Sequence, residues 1–401
     1  MSGVFTRLVG QDAVEAELLT AAMAARSDSD HSPTGAGNMT HAWLITGPPG
    51  SGRSIAALCF AAALQCTSDS EPGCGRCRAC TTTMAGTHAD VRRVIPEGLS
   101  IGVDEMRAIV QIASRRPTTG HWQVVLIEDA DRLTEGAANA LLKVVEEPPP
   151  STVFLLCAPS VDPEDIAVTL RSRCRHVALV TPSTAAIAQV LIDGDGLAAD
   201  TANWAASVSG GHVGRARRLA TDPEARERRE RALGLVRDAV NPARAYAAAE
   251  ELVAAAETEA VVLTAHREET ETEELRTALG AGGTGKGTAG TLRGATGAIK
   301  DLERRQKSRH TRASRDALDR ALIDLATYFR DALMVAANAG NVAANHPDMA
   351  DRVGSLAAHA TPERLLRCIE AVLECREALA INVKPKFAVD AMVATMGQEL
   401  R

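Results

Sequence analysis

Cys66, Cys74, Cys77 and Cys80 are spaced C-x7-C-x2-C-x2-C. Two successive C-x-x-C steps let thiolates converge on one tetrahedral ion, and a fourth cysteine closes the site. The spacing predicts a structural zinc with no open position for catalysis. Arg76 and Arg78 between the ligands partly offset the charge of a tetrathiolate. A redox C-x-x-C pair is the alternative, and the two additional cysteines argue against it. A second constellation is GPPGSGRS, residues 47–54, which matches a phosphate loop through Gly47, Gly50, Gly52 and Ser54, with Arg53 where Lys belongs. Glycines let backbone N–H groups turn inward on a phosphate, and the following helix adds its dipole. A planar guanidinium does not replace a compact ammonium between phosphates. Two readings of the loop follow, one in which Arg53 still holds ATP or ADP and one in which the loop binds nothing.

A third constellation lies at the end of QVVLIEDADRL, residues 123–133. A phosphate-loop NTPase places an Asp for magnesium and a following Glu for water at such a strand end. Here Glu128 precedes Asp129. The inverted order misplaces each carboxylate by about one C–C bond, and ~1 Å of misplacement can cost ~10²-fold in rate.

These groups need a scaffold of strands and helices. The apolar runs AWLIT, VRRVI, QVVLIE, TVFLLCA and RHVALV between 42 and 180 predict strands, and the helical patterns between them predict a parallel α/β sheet. Residues 4–25 carry apolar positions at helical spacing, and the polar stretch after them, up to Asn38, reads as a surface insertion. Beyond about residue 182 only Ala/Leu/Arg helices are predicted. The Gly/Thr stretch 281–297 is too polar to order itself. Between 300 and 315 lies a run of seven Lys/Arg, read as a solvated helix face rather than a DNA contact.

The balance of 44 basic against 51 acidic residues gives a net charge of −7, which excludes the global positive field of an autonomous DNA-binding protein. Aromatic content of 2% leaves little for stacking platforms. No apolar run reaches bilayer length and no apolar signal core is present at the start, so the expected location is the cytoplasm, with no membrane partner. The nine cysteines, an odd number, argue against a disulfide framework.

The motifs VGQDAV, HAWLITGPPGSGRS, EDADRLTEGAANALLKVVEEPP and TLRSRC, with the four-cysteine insertion and the closing INVKPKFAVDAMV, resemble the bacterial clamp-loader AAA+ subunits of DNA polymerase III, and among them the δ′ family. The resemblance is dense over the first 180 residues and rests on helical pattern beyond. It implies an AAA+ domain over 1–181 with the zinc module at 66–80, a helical lid over 182–228, and an all-α collar over 229–401 with an insertion around 280–298. It also implies a non-hydrolysing subunit that assembles with γ/τ-type and δ subunits to load the sliding clamp onto primed DNA. By resemblance, Arg173 of the Ser-Arg-Cys segment is an arginine finger acting in trans. Where active relatives carry a polar sensor, this chain has Ala158 and Pro159. Where they keep a second sensor arginine, it has Gly214 with Arg215 one residue late, a helical rotation of about 100°.

Overall fold

The computed structural model describes residues 3–27, 39–69, 71–279, 291–339 and 342–401. It divides into two compact units, the first comprising residues up to Pro96 and Ser100–Arg217, the second Glu97–Leu99 and Arg218–Arg401. The contacts thus group residues 182–217 with the first unit.

In the first unit, α1 (Asp12–Ser27) precedes β1 (Ala42–Thr46), α2 (Arg53–Gln65), α3 (Arg78–Met84), β2 (Val91–Val94), α4 (Val103–Ala113) and β3 (Gln123–Ile127). Then come α5 (Glu135–Glu146), β4 (Thr152–Ala158), α6 (Val168–Arg171), β5 (Arg175–Ala178), α7 (Thr184–Asp193), α8 (Ala199–Ser207) and α9 (Val213–Thr221). The unit boundary falls inside α9. All five predicted strands form, pair in parallel, and lie in the order β2-β3-β4-β1-β5. The central strands β1, β3 and β4 are buried along their whole length, which is why they read as unbroken apolar runs rather than alternating ones. Trp43 and Ile45 of β1 face one core with α1 and α2, while Ala42 and Leu44 face the other with α4 and α5. Trp43 meets Phe60 edge-on at 4.9 Å between ring centroids.

The continuous helix predicted over 4–25 is broken. Val4–Arg7 forms a short 3-10 turn, Gly10 has φ 67°, and α1 begins only at Asp12. The left-handed Gly10 turns the chain, and just before α1 the Gln11 amide donates to the carbonyls of Ser51 and Val180 and accepts from the Val180 N–H.

A buried carboxylate organises the loop before β3. Thr118 and Thr119 each donate a backbone N–H and a hydroxyl to Asp90, and Gly120 donates its N–H. Burial opposes ionisation, but these donors outweigh it and hold the Asp90 carboxyl well below the ordinary carboxylate range. Asp90→Asn is expected to cost about 1.5–3 kcal/mol, because an amide NH₂ then faces N–H and O–H donors. The native contribution is present above the unfolded Asp pKa of about 3.9 and is lost as pH falls from there toward the depressed native value. Urea midpoints measured between pH 5 and pH 2 should therefore fall more steeply in the wild type than in the variant, and equal slopes would refute the assignment.

In the second unit, α10 (Pro223–Ala239), α11 (Pro242–Ala278), α12 (Thr291–Ala336), α13 (Ala350–His359), α14 (Pro362–Ala380) and α15 (Pro385–Leu400) close on a core that includes Leu318, Leu322, Phe329, Leu365, Cys368, Val372, Val389 and Met396. No strand occurs here among the described residues. Glu259 is buried at the centre of an ion network with Arg218, Arg228 and Arg320. Burial alone would raise its carboxyl, but the three guanidinium groups lower it.

The stretch 281–297 is corrected at its C-terminal end: α12 starts at Thr291, so 291–297 are helical, while 280–290 lie outside the described residues, as does the polar stretch 28–38. Within the basic run, Arg304 pairs with Asp301, Arg309 with Glu271 and Arg312 with Asp316, and Arg315 donates to the Leu379 carbonyl. No described helix is long and apolar enough to cross a membrane.

Candidate functional site

The phosphate loop joins buried β1 to α2. Gly52, at φ 97°, caps α2 and accepts from the Ala56 N–H; this left-handed conformation disfavours other residues. Ser54 stands in the first turn of α2. Arg53 folds back so that its Nη1 donates to the Gly47 carbonyl at 2.9 Å, and the Gly47 N–H donates to the Pro159 carbonyl at 3.2 Å. The predicted sensor position therefore meets the loop through the Pro159 carbonyl, while Ala158 is buried in the core shared with α4 and α5.

At the loop crest, Gly50 has φ 87°, and a Cβ there would come within 2.5 Å of the His212 side chain. His212 also caps α9, its Nδ1 accepting from the Arg215 N–H at 3.2 Å. Sequence reading missed His212, since nothing in SGGHVGRA marks it as the residue over the loop. Gly214 is the second residue of α9.

Glu128 follows the end of β3. Arg93 of β2 grips it with Nε at 2.9 Å and Nη2 at 2.5 Å from one carboxylate oxygen. The charge of Glu128 is thus offset from a neighbouring strand, a pairing with no sequence signal because 35 residues separate the partners. Burial and the charge of Asp129 raise the nearby Asp131 carboxyl, while Arg132 and Arg53 oppose the rise. The loop keeps the left-handed Gly50 and Gly52 of a phosphate loop, while the Gly47 and Ser51 N–H groups donate to the Pro159 and Pro48 carbonyls. At the acidic pair, Arg93 holds Glu128 Oε1 and offsets the charge that a metal ion would meet there.

Arg173 follows α6 and lies on the surface, its side chain 40% exposed. Its Nη1 donates to the Thr169 carbonyl and the Ser172 hydroxyl, and its Nη2 pairs with Glu146 at 2.6 Å. Glu146 is the last residue of α5 and was not singled out in the sequence.

The four cysteines converge. Their sulfur atoms all lie within 4.8 Å of one another, and Cys66 and Cys77 are 3.9 Å apart. A tetrahedral ion with Zn–S bonds of about 2.3 Å requires sulfurs about 3.8 Å apart, whereas a disulfide requires about 2.0 Å. The donor set and spacing fit a metal ion. The Cys77 and Cys80 N–H groups donate to Cys74 Sγ and Cys77 Sγ, at 3.4 Å each. Burial raises the Cys77 thiol, but hydrogen bonds from Cys80 and Thr67 outweigh it and bring it down to about 6. The module also holds the N-terminal turn, whose Val4 N–H donates to the Gly73 carbonyl at 2.9 Å. Of the other cysteines, Cys59, Cys157, Cys368 and Cys375 are buried and Cys174 is only partly so.

A parallel five-stranded sheet with a phosphate loop after β1, an acidic pair after β3 and a helical segment over the loop defines the AAA+ P-loop class. The family model described as DNA polymerase III, delta subunit matches residues 31–183, and that described as DNA polymerase III, delta subunit, C terminal matches 313–384. Through both segments the chain is related to the DNA polymerase III delta-subunit family.

The DNA polymerase III subunit delta' of Escherichia coli (strain K12) is 39% identical over 150 residues, 37% of this chain and 44% of its own length. That of Bacillus subtilis (strain 168) is 33% identical over 157 residues, 39% of this chain and 47% of its own length. The DNA polymerase III subunit gamma/tau of Mycobacterium tuberculosis (strain CDC 1551 / Oshkosh) is 31% identical over 174 residues, 43% of this chain and 28% of its own length. The chain spans less than half the length of the curated delta' relatives it matches.

Proposed function

We propose that this chain is a non-hydrolysing, δ′-type AAA+ subunit of a bacterial DNA polymerase III clamp loader. It helps assemble the loader with γ/τ-type and δ subunits in the cytoplasm and supplies Arg173 to a neighbouring ATP site. Its contact with the sliding clamp is weak or indirect, and primed DNA is reached through the assembled complex. The observation that carries the non-hydrolysing part is the Arg93–Glu128 ion pair, which offsets the negative charge a magnesium ion would need at Glu128. Arg53 bonded to the loop's own carbonyl and the Ala158–Pro159 sensor segment act in the same direction.

In trans, the Arg173 guanidinium would neutralise charge that develops on the transferred phosphoryl, a contribution worth 10³–10⁵ in rate in other systems. The four cysteines hold one zinc ion, which closes the segment 66–80 and takes no part in chemistry. The division into a first domain over 1–181, a lid over 182–228 and a collar over 229–401 belongs to this reading.

The gamma/tau similarity favours a second reading, an ATP-hydrolysing motor subunit. The two readings separate in one measurement. The isolated chain should turn over ATP no faster than background, since defects in groups that act as a unit leave little residual activity. Robust turnover abolished by Arg53→Ala would overturn the assignment in favour of a motor subunit.

A further inference from the structure

Glu146 occupies the C-terminal end of α5, where the aligned peptide dipoles disfavour a carboxylate, and Glu147 and then Pro148, Pro149 and Pro150 follow it. Lys143 stands in the last turn of α5, and Arg173 brings a second cation to Glu146 from the segment after α6, at 2.6 Å. The other two acceptors of Arg173, the Thr169 carbonyl and the Ser172 hydroxyl, belong to its own stretch of chain. Only the Nη2 edge is committed to a different element. Both partners are about 40% exposed, at 40% and 41%, so the pair is open to exchange with an anion arriving from outside.

We infer that Glu146 is a latch for Arg173: it holds the guanidinium as an internal counter-ion until the phosphate of a neighbouring nucleotide takes its place. The inference rests on the trans-acting role proposed for Arg173. It makes Glu146 a positioning residue. In the parked state Nη1 stays on Thr169 and Ser172, which limits the search to rotation of the terminal guanidinium, while Nη2 stays on Glu146. A triphosphate terminus carries more charge than one carboxylate and accepts two parallel N–H bonds from an arginine fork, so it displaces Glu146 once it is near. An exposed ion pair of this kind biases an equilibrium by only about 1.5- to 5-fold. The latch therefore tunes engagement without blocking it.

Glu146→Gln keeps a hydrogen-bond acceptor and removes the charge. In the isolated full chain, phenylglyoxal modification of Arg173, followed by peptide mass spectrometry, should run about 1.5- to 5-fold faster in E146Q than in wild type. Arg171, which donates to the Val161 carbonyl instead, should react at an unchanged rate. In the loader reconstituted with γ/τ-type and δ subunits, the ATP concentration for half-maximal ATPase should fall by a similar factor, and this effect should vanish in an R173A background. An unchanged Arg173 modification rate, or a lowered loader ATPase in E146Q, overturns the latch. If R173A leaves the loader ATPase intact while E146Q still speeds modification, the trans-acting role of Arg173 fails and the latch's function fails with it, leaving a surface staple between α5 and the segment after α6.

Discussion

Arg173→Ala is expected to leave the chain folded and able to assemble while lowering the DNA- and clamp-stimulated ATPase of the loader. The side chain is exposed and outside both cores of the first unit, and such substitutions typically change stability by under about 0.5 kcal/mol. Losing the Glu146 pair adds little, since exposed pairs are worth about 0.2–1 kcal/mol. At the single neighbouring site that Arg173 would serve, hydrolysis should slow by roughly 10³–10⁵-fold. Other sites keep their own cations, so total turnover falls only by that site's share. A partial loss with normal assembly is the expected signature in a steady-state ATPase assay on the reconstituted complex. Wild-type ATPase in the R173A loader would return Ser172-Arg173-Cys174 to a structural reading.

The second large effect concerns the cysteine module. Protein purified without chelator should carry one zinc per chain, and its removal should destabilise the first unit. Apparent binding free energies for structural zinc reach roughly 10–16 kcal/mol in small domains. Here the sheet has its own apolar core, so only part of that free energy is linked to global folding. We expect the Tm to drop by about 10 °C, equivalent to about 3–5 kcal/mol for a unit of this size.

The mechanical link is short. Cys66 ends α2 and packs in the core, Cys80 Sγ lies 3.5 Å from the Ala62 carbonyl, and Gly73 binds Val4. Opening the module therefore releases both the C-terminal end of α2 and the N-terminal turn. Cys77→Ser should reproduce the chelator effect. Metal analysis without zinc, or a Tm unmoved by chelation and by Cys77→Ser alike, would refute the structural-zinc assignment.

Local pattern carries a large part of this molecule. The strands were legible because β1, β3 and β4 are buried on both faces and so are written as uninterrupted apolar runs. The phosphate loop and the C-x-x-C steps were legible because each site is assembled from residues close in sequence, where spacing and geometry are nearly the same thing. The departures at Arg53 and at Glu128-Asp129 could be seen against local motifs, and that at Ala158-Pro159 only through the family resemblance.

What could not be read were pairings between distant segments. Gln11 reaches Ser51 and Val180 where periodicity presents one continuous helix. Arg93 pairs with Glu128 across 35 residues, His212 sits against Gly50, and Glu146 holds Arg173. None of these partners bears a local mark, because an exposed Arg or His has the same propensity with or without its partner. The start of α12 at Thr291 belongs with them: composition marks 291–297 as a poor helix, and propensity is a weak prior against the cooperativity of the long helix that continues from it. Periodicity and spacing act over a few residues and so settle which elements form and which groups share a loop. Charge neutralisation and backbone clamping act through space, so only the folded sheet decides which of those groups remain free for chemistry.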